Sequence, residues 1–189
     1  MFLFRRPTDA AVRNFLQSQA PLDFTYPEHG ATASTPPPGY VVDRTRVRLG
    51  TGDETFRRAR AGIRHWRQFA LGWVHAVPDD TPIRTGETVA VIARTLGVWS
   101  LNAARIVYVI DEPRRFGFAY GTLPGHVERG EERFLVEHAD DDLVWYEIVA
   151  FSRPQHPLTK LGYPWVRRLQ KRFGRDSAAA MSHEIERPL

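Results

Sequence analysis

The residues best suited to chemistry lie between positions 115 and 134. This stretch reads RFGFAYGTLPGHVERGEERF and combines His126 with three carboxylates, Glu128, Glu131 and Glu132, side chains that can exchange protons or ligate metals. The acidic residues and the histidine are divided by a Pro-Gly turn, and no second histidine follows at a metal-binding spacing. No metal site is therefore expected. Two interpretations remain open: a hairpin held by Glu–Arg pairs, or a polar cluster that faces a ligand.

Side-chain alternation gives the same stretch an aromatic face and a small-residue face. Neighbouring residues of a strand point to opposite sides. Tyr120 therefore shares one face with the phenylalanines at 116 and 118, while the small residues at 117, 119 and 121 share the other. Three small residues in register indicate that something approaches closely. The C-terminal helix and a ligand are the two alternatives.

Further candidates interrupt apolar strands or stand near their ends. Asn102 and Arg105 lie in an otherwise apolar run, and buried polar groups need partners. Arg105 either pairs with an acid or anchors an anionic group in a mostly apolar pocket. Arg153 closes the last predicted strand, where it could hold a carboxylate or simply cap the sheet. The predicted ligand-binding residues are Asn102, Arg105, Tyr120, Thr122, His126, Glu131, Tyr146, Arg153 and Trp165.

Several function classes lack their sequence signatures. The chain contains no cysteine, which excludes disulfides, thiolate zinc sites and cysteine nucleophiles. A nucleophile elbow, a phosphate-binding Walker loop, a GxGxxG fingerprint and a local Ser/His/Asp signature are also missing from the sequence. The residues therefore indicate no cofactor, and no catalytic residue is assigned.

The first half of the chain is predicted to contain two helices and two strands. Thr8 and Asp9 cap a helix that ends near Ala20. Residues 21–39 form a connector with three consecutive prolines, which neither a helix nor a central strand accommodates. Alternation predicts a strand over 40–49. Apolar residues at helical spacing predict a second helix from Asp53 to about residue 70, followed by a strand over 72–77.

The second half is predicted to be a strand meander followed by a helix. Strands are expected over 87–95, 98–111, 116–123, 129–138 and 143–153, with turn residues between them. Short turns imply antiparallel pairing. Residues 161–175 have helical periodicity. The expected fold is α+β, a sheet of six to seven strands with helices on one side. A gap between the two layers is the expected ligand site.

Charge is unevenly distributed along the chain, which has a net charge of +4. Residues 44–68 hold eight arginines against two acids, residues 111–147 are acidic, and residues 153–175 are basic again. Such segments are expected to face each other or to lie on opposite sides, which disfavours a uniform nucleic-acid-binding stripe. No apolar run is long enough to cross a bilayer. Arg5 and Arg6 follow the apolar start, the reverse of a signal peptide, so a cytoplasmic protein is expected.

The chain resembles a family of uncharacterised bacterial and plant proteins, formally a domain of unknown function. The resemblance lies in FGFAYGTLPGH at 116–126, GEERF at 130–134, LNAARIVY at 101–108 and AFSRP at 150–154. It extends from about Phe24 to Phe173. The family is similar to the START-like, or SRPBCC, helix-grip superfamily. That resemblance implies a curved antiparallel sheet wrapped round a long C-terminal helix. Superfamily members bind lipids, hormones and polyketides, and a few are cyclases or hydrolases.

These observations predict three regions and rank three functions. The regions are an N-terminal helix with its Pro-rich connector (1–39), a START-like domain (40–176) and a flexible tail (177–189). The first function is binding of a hydrophobic or amphipathic small molecule between sheet and C-terminal helix. The second is an enzyme that uses Tyr120, His126 or Glu131 for proton transfer in the same cavity. The third is peripheral binding to an anionic membrane or nucleic acid.

Overall fold

The order of elements along the chain is a short strand, a helix, a strand, a second helix, six strands and a long helix. The computed structural model describes residues 1–157 and 161–186. The elements are β1 (Phe2–Leu3), α1 (Asp9–Gln19), β2 (Val41–Thr51), α2 (Gly52–Arg64), β3 (Val74–Val77), β4 (Thr88–Thr95), β5 (Val98–Glu112), β6 (Arg115–Thr122), β7 (Glu128–His138), β8 (Leu143–Pro154) and α3 (Tyr163–Glu186).

The strands form one antiparallel sheet in the order β2-β8-β7-β6-β5-β4-β3. Hairpins join consecutive strands from β3 to β8, while β2 pairs with β8 at the far edge. β1 pairs with the first residues of β5, beyond the point where β6 has ended. The predicted α+β fold, a curled sheet with a long C-terminal helix, is confirmed. No helix in the described part of the chain is long and apolar enough to span a membrane.

The concave face of the sheet packs against α2 and α3. Alternate residues of the strands, such as Phe118, Phe134 and Ile148, form one apolar cluster with Phe56 and Ile63 of α2 and with Met181 of α3. These side chains recur with the period of two expected for a sheet with one buried face. The main core therefore lies between the sheet and the two helices.

The convex face is covered by the N-terminal region. Val12 and Leu16 of α1 pack on β4 and β5. Residues 24–34, which we name the clasp, lie across β6 and β7. Tyr26 of the clasp contacts Gly121, where an added Cβ would lie 2.2 Å from the tyrosine oxygen. The small-residue face of β6 is thus approached by the clasp, and neither the C-terminal helix nor a ligand fills that role at this position.

Two helix lengths differ from the sequence-based expectation. α2 ends at Arg64, because Trp66 adopts a left-handed conformation (φ 54°) and a 3₁₀ turn follows at Arg67–Phe69. α3 does not end near residue 175. It continues to Glu186, and Ser177, Ala178 and Met181 are buried. The predicted flexible tail over 177–189 is therefore wrong for residues 177–186, because these small residues pack against the sheet and α2; residues 187–189 lie outside the described residues.

Candidate functional site

A pocket of about 590 Å³ lies between the concave face of the sheet and the first half of α3. The pocket results from the way in which α3 packs, since the buried residues of this helix begin only at Gly174. The turns before Gly174 extend over the sheet without filling the space beneath them. The apolar part of the wall includes Phe69, Trp73, Val91, Ile148, Leu169 and Phe173.

Large apolar side chains surround the opening of the pocket. Phe4 is 91% exposed, Leu96 at the β4–β5 turn is 83% exposed and Trp165 at the start of α3 is 42% exposed, and all three contribute to the pocket wall. Exposed apolar residues that converge on one cavity mark a site where an apolar molecule can enter.

A hydrogen-bonded Tyr–Glu pair lies inside the pocket. Tyr120 of β6 and Glu132 of β7 are cross-strand partners, and both contribute to the wall. The Tyr120 hydroxyl donates to Glu132 Oε2 over 2.7 Å. Burial raises the pKa of Glu132 to about 7 and also raises the pKa of Tyr120. Glu132 can therefore hold or release a proton near neutral pH.

A second carboxylate, Glu128, lies on the same face of β7. Gln170 Nε2 of α3 donates to both carboxylate oxygens of Glu128, over 2.7 and 2.9 Å, and to Ser152 Oγ over 3.0 Å. Burial raises the pKa of Glu128. These contacts connect the first half of α3 to the sheet through neutral hydrogen-bond donors.

His126 contributes to the pocket wall beside these carboxylates. Its Nδ1 accepts a hydrogen bond from the backbone N–H of Glu128 over 3.0 Å. Burial lowers the pKa of His126 to about 4, so the imidazole is neutral at pH 7. Among the described residues, no group of three His, Cys, Asp or Glu side chains is arranged to hold a metal ion.

The structure brings together some of the predicted site residues. Asn102, Tyr120, Thr122, His126 and Trp165 all contribute to the pocket wall. The Asn102 amide is already engaged, because its Nδ2 donates to the Val91 carbonyl and its Oδ1 accepts from the Val127 N–H. Tyr120 and His126 are thus the predicted titratable groups whose side chains belong to the pocket.

The side chains of four other predicted residues have different surroundings. Arg105 lies on the convex face, where its Nη2 donates to the Ala20 and Leu22 carbonyls over 2.6 and 2.8 Å. Strand parity explains this position, because Arg105 follows Asn102 by three positions, an odd number, and the two side chains therefore point to opposite faces. The Arg153 guanidinium lies over the Tyr40 ring, 4.6 Å from its centroid.

Tyr146 and Glu131 also serve the packing of the fold. Tyr146 is fully buried, and its hydroxyl is 2.8 Å from Ser177 Oγ of α3. Glu131 points to the convex face and binds the clasp. Its carboxylate accepts hydrogen bonds from the Tyr26 hydroxyl, the Gly30 N–H, the Thr32 N–H and the Thr32 hydroxyl. Arg105 is therefore not part of the pocket wall, and Glu131 borders the pocket but directs its carboxylate away from it, to the clasp.

The predicted ligand-binding residues do not include Gln170, and they do not include Glu128 and Glu132, which the sequence offers only as members of a possible polar cluster. For the two glutamates the signal was present, because strand parity places them on the same face of β7 as Phe134, which packs in the main core. Gln170 carried no comparable signal, since its position depends on how α3 is rotated over the sheet.

The chain is similar to proteins of known family and known fold. The sequence profile of a domain of unknown function, DUF1990, matches residues 25–180. A protein of Dictyostelium discoideum named UPF0548 protein is 36% identical over 203 residues, covering 96% of this chain and 94% of that protein. A UPF0548 protein of Deinococcus radiodurans is 38% identical over 193 residues, covering 94% and 96%.

Solved structures with the same fold share little sequence with this chain. A protein from Thermus thermophilus has a TM-score of 0.56 at 12% identity, covering 77% of this chain and 97% of that one. A hypothetical protein from Helicobacter pylori has a TM-score of 0.53 at 12% identity, covering 85% and 95%. The di-domain ARO/CYC StfQ from the steffimycin biosynthetic pathway has a TM-score of 0.50 at 13% identity, covering 95% and 56%. These likenesses establish the predicted helix-grip fold.

Proposed function

The chain belongs to the DUF1990 family, and we propose that it binds a hydrophobic or amphipathic small molecule in the pocket between the sheet and α3. The observation that supports this proposal most directly is the pocket itself, which has a volume of about 590 Å³ and mostly apolar walls. Small-molecule sites have volumes of about 300–1,000 Å³, apolar walls and a few convergent polar groups. The pocket has all three properties.

The packing of α3 supports this proposal over a purely structural role. Protein interiors are close-packed, with few voids larger than a water molecule. The second half of α3 follows that rule, with Ser177 and Met181 fully buried, whereas the first half covers open space. A helix that served only to complete the core would be expected to bury its whole length.

The direct test is to look for a bound molecule and then to block the pocket. Native mass spectrometry of the purified protein should show an apolar molecule that co-purifies. The neutral fluorescent probe N-phenyl-1-naphthylamine should bind with a Kd that rises about tenfold or more in Ala150→Trp, because Ala150 contributes to the pocket wall. Ala10→Trp is the control, since Ala10 is exposed on α1. Equal probe binding by both folded variants would contradict the proposal.

An enzyme that uses the same pocket is the second candidate, and the Tyr120–Glu132 pair favours it. An efficient general acid or base has a pKa near the working pH, and burial brings Glu132 into that range. If the protein is an enzyme, its proton carrier is Glu132, and not His126 or Glu131 as the sequence suggests. The wild type, but not Glu132→Gln, should convert apolar molecules from a cell extract into products of new mass. Identical product masses with both proteins would exclude Glu132 as the proton carrier.

Surface charge argues against a nucleic-acid or membrane role as the main function. Arginines of the basic segment 44–68 pair with acids of the segment 111–147. Arg60 Nη2 lies 2.6 Å from Asp111 Oδ1, and Arg46 Nη2 lies 3.4 Å from Glu137 Oε2. Part of the basic charge is therefore balanced within the fold. A cytoplasmic location stays a prediction.

A further inference from the structure

The charged groups in the pocket wall all have one sign. Among the residues that the structure describes, the wall includes Asp43, Glu128, Glu131 and Glu132 and no lysine or arginine, although the chain holds 26 basic residues. A pocket built for a fatty acid or a phosphate headgroup needs at least one cation or several free N–H donors to stabilise the buried anion. This wall supplies the opposite charge.

Two of the four carboxylates are already neutralised or saturated. The Arg167 guanidinium holds Asp43, with Nη1–Oδ2 and Nη2–Oδ1 distances of 2.5 and 2.6 Å. Glu131 points away to the clasp, where Tyr26 Oη and Gly30 N each lie 2.7 Å from its Oε2. Neither group has hydrogen-bonding capacity directed at a ligand.

The other two carboxylates have neutral side chains as their hydrogen-bond donors, and of the two only Glu128 is also under the influence of Arg167. Gln170 donates to Glu128, and Tyr120 donates to Glu132 Oε2. Among residues 1–157 and 161–186, no group donates a hydrogen bond to Glu132 Oε1. A carboxylate in an apolar cavity without a cationic partner is destabilised unless it is protonated or a cation binds. Glu132 Oε1 therefore offers a place for a positively charged donor.

We propose that the molecule bound in this pocket is a cationic amphiphile, an apolar alkyl or aromatic body with a protonated amine that donates to Glu132. The inference rests on the proposed function and specifies its ligand. The apolar walls take the body of the molecule, and the ammonium group lies at Glu132 in the field of Glu128. An anionic amphiphile of the same size would face two carboxylates and no basic side chain of the wall.

The proposal predicts how affinity changes with pH. The groups that act on Glu132 are Tyr120 on β6, Tyr146 on β8, Glu128 on its own strand, and Asp43 with its partner Arg167, and of these only Arg167 is cationic. Burial keeps the pKa of Glu132 near 7, and a bound ammonium stabilises its carboxylate form. Binding therefore releases a proton, and amine affinity rises about tenfold between pH 6 and pH 8. Affinity for a neutral alcohol stays constant over the same range.

Three ligands with one chain length test the proposal. Isothermal titration calorimetry would compare decylamine, decanol and decanoate at pH 6, 7 and 8. At pH 8 the wild type should bind decylamine at least tenfold more tightly than decanol, and decanoate most weakly. Glu132→Gln should lose the amine preference and its pH dependence but keep its affinity for decanol. Glu137→Gln is the control, because Glu137 lies on the convex side of β7 and is half-exposed.

Each outcome separates this proposal from the function on which it rests. If decanol or decanoate binds as tightly as decylamine, the ligand is not cationic, while the pocket remains a binding site. If none of the three ligands binds, the proposed function fails as well. If Glu132→Gln does not fold, the wild type alone can still test the proposal through the number of protons released on binding. Decylamine titrations in two buffers with different ionisation enthalpies should reveal proton release, and equal heats in both buffers would overturn the proposal.

Discussion

Removal of the Glu131 carboxylate should separate the clasp from the sheet. Glu131 is 2% exposed and accepts hydrogen bonds from the Tyr26 hydroxyl, the Gly30 N–H, and the N–H and hydroxyl of Thr32. Glu131→Ala removes the shared acceptor of these four donors, of which the Thr32 hydroxyl can still donate to the Tyr108 hydroxyl, 2.8 Å away. Tyr26 and Thr32 are each 2% exposed, so water cannot reach their donors unless the clasp moves away.

The expected loss of stability follows from the donors that stay buried. An unsatisfied buried donor destabilises by about 1–3 kcal/mol, and the Gly30 N–H can be rehydrated because it is partly exposed. With the Tyr26 hydroxyl and the Thr32 N–H left as the two buried donors, the free energy of unfolding should therefore fall by about 4 kcal/mol. For a chain of this length that corresponds to a decrease in Tm of about 8–16 °C.

Urea denaturation followed by circular dichroism measures this loss, with Glu137→Ala as the control. Glu137 shares the strand and the convex side with Glu131, but its ion pairs with Arg46 and Arg115 are at the surface, so its loss should stay below about 1 kcal/mol. Equal destabilisation by the two variants would refute the reasoning. If Glu131→Ala does not fold, Glu131→Gln retains one acceptor oxygen and should lose about half as much stability.

Two further substitutions test residues whose positions in the structure differ from those predicted from the sequence. Arg105→Ala should reduce the free energy of unfolding by about 1–2 kcal/mol, because Arg105 holds carbonyls at the end of α1. Probe binding should be unchanged, whereas a weaker probe affinity would make Arg105 a pocket residue. Met181→Ala should lose about 2–5 kcal/mol in urea denaturation, because Met181 is fully buried; a loss below about 0.5 kcal/mol would indicate a frayed helix end.

The strand meander was predictable because its signals are local. Each strand alternates or is continuously apolar, and Gly97, the prolines at 113 and 124 and the aspartates at 140–142 mark the turns. The five predicted strands from residue 87 onward agree with β4 to β8 to within about one residue at each end. Antiparallel pairing then follows from the short connections. These patterns depend on neighbours in the chain and need no knowledge of the fold.

The clasp was not predictable, because its structure depends on distant contacts. Residues 24–34 contain no period of 2 or 3.6, and the proline-rich segment that follows indicates only an extended loop. The hydrogen bond of Tyr26 joins it to Glu131, 105 positions later. Local patterning specifies neither the partner nor the face of the sheet, so Glu131 was assigned to the ligand rather than to the clasp.

The sequence contains signals for the end of α3 and for the Tyr120–Glu132 pair, but the predictions use them only in part. Residues 177–181 are Ser-Ala-Ala-Ala-Met, and alanine has the highest helix propensity. Their small size allows the helix to lie close to β8, where Ser177 meets Tyr146. Likewise, alternation applied to β7 as well as to β6 would have placed Glu132 on the same face as Tyr120, although not in its exact register.

The position of β2 in the sheet affects how the chain avoids aggregation as it folds. β2 precedes the other long strands but pairs with the last of them, β8. Two strands that lie on the order of 100 residues apart in the sequence must therefore meet before β2 docks. Until then β8, with the apolar sequence LVWYEIVAFSRP, is an open edge that can pair with another chain. Docked β2 covers that edge and presents Arg44, Arg46 and Arg48, all exposed. Charged residues on an edge strand discourage pairing between molecules, so the arginine-rich strand gives the finished sheet an edge that resists self-association.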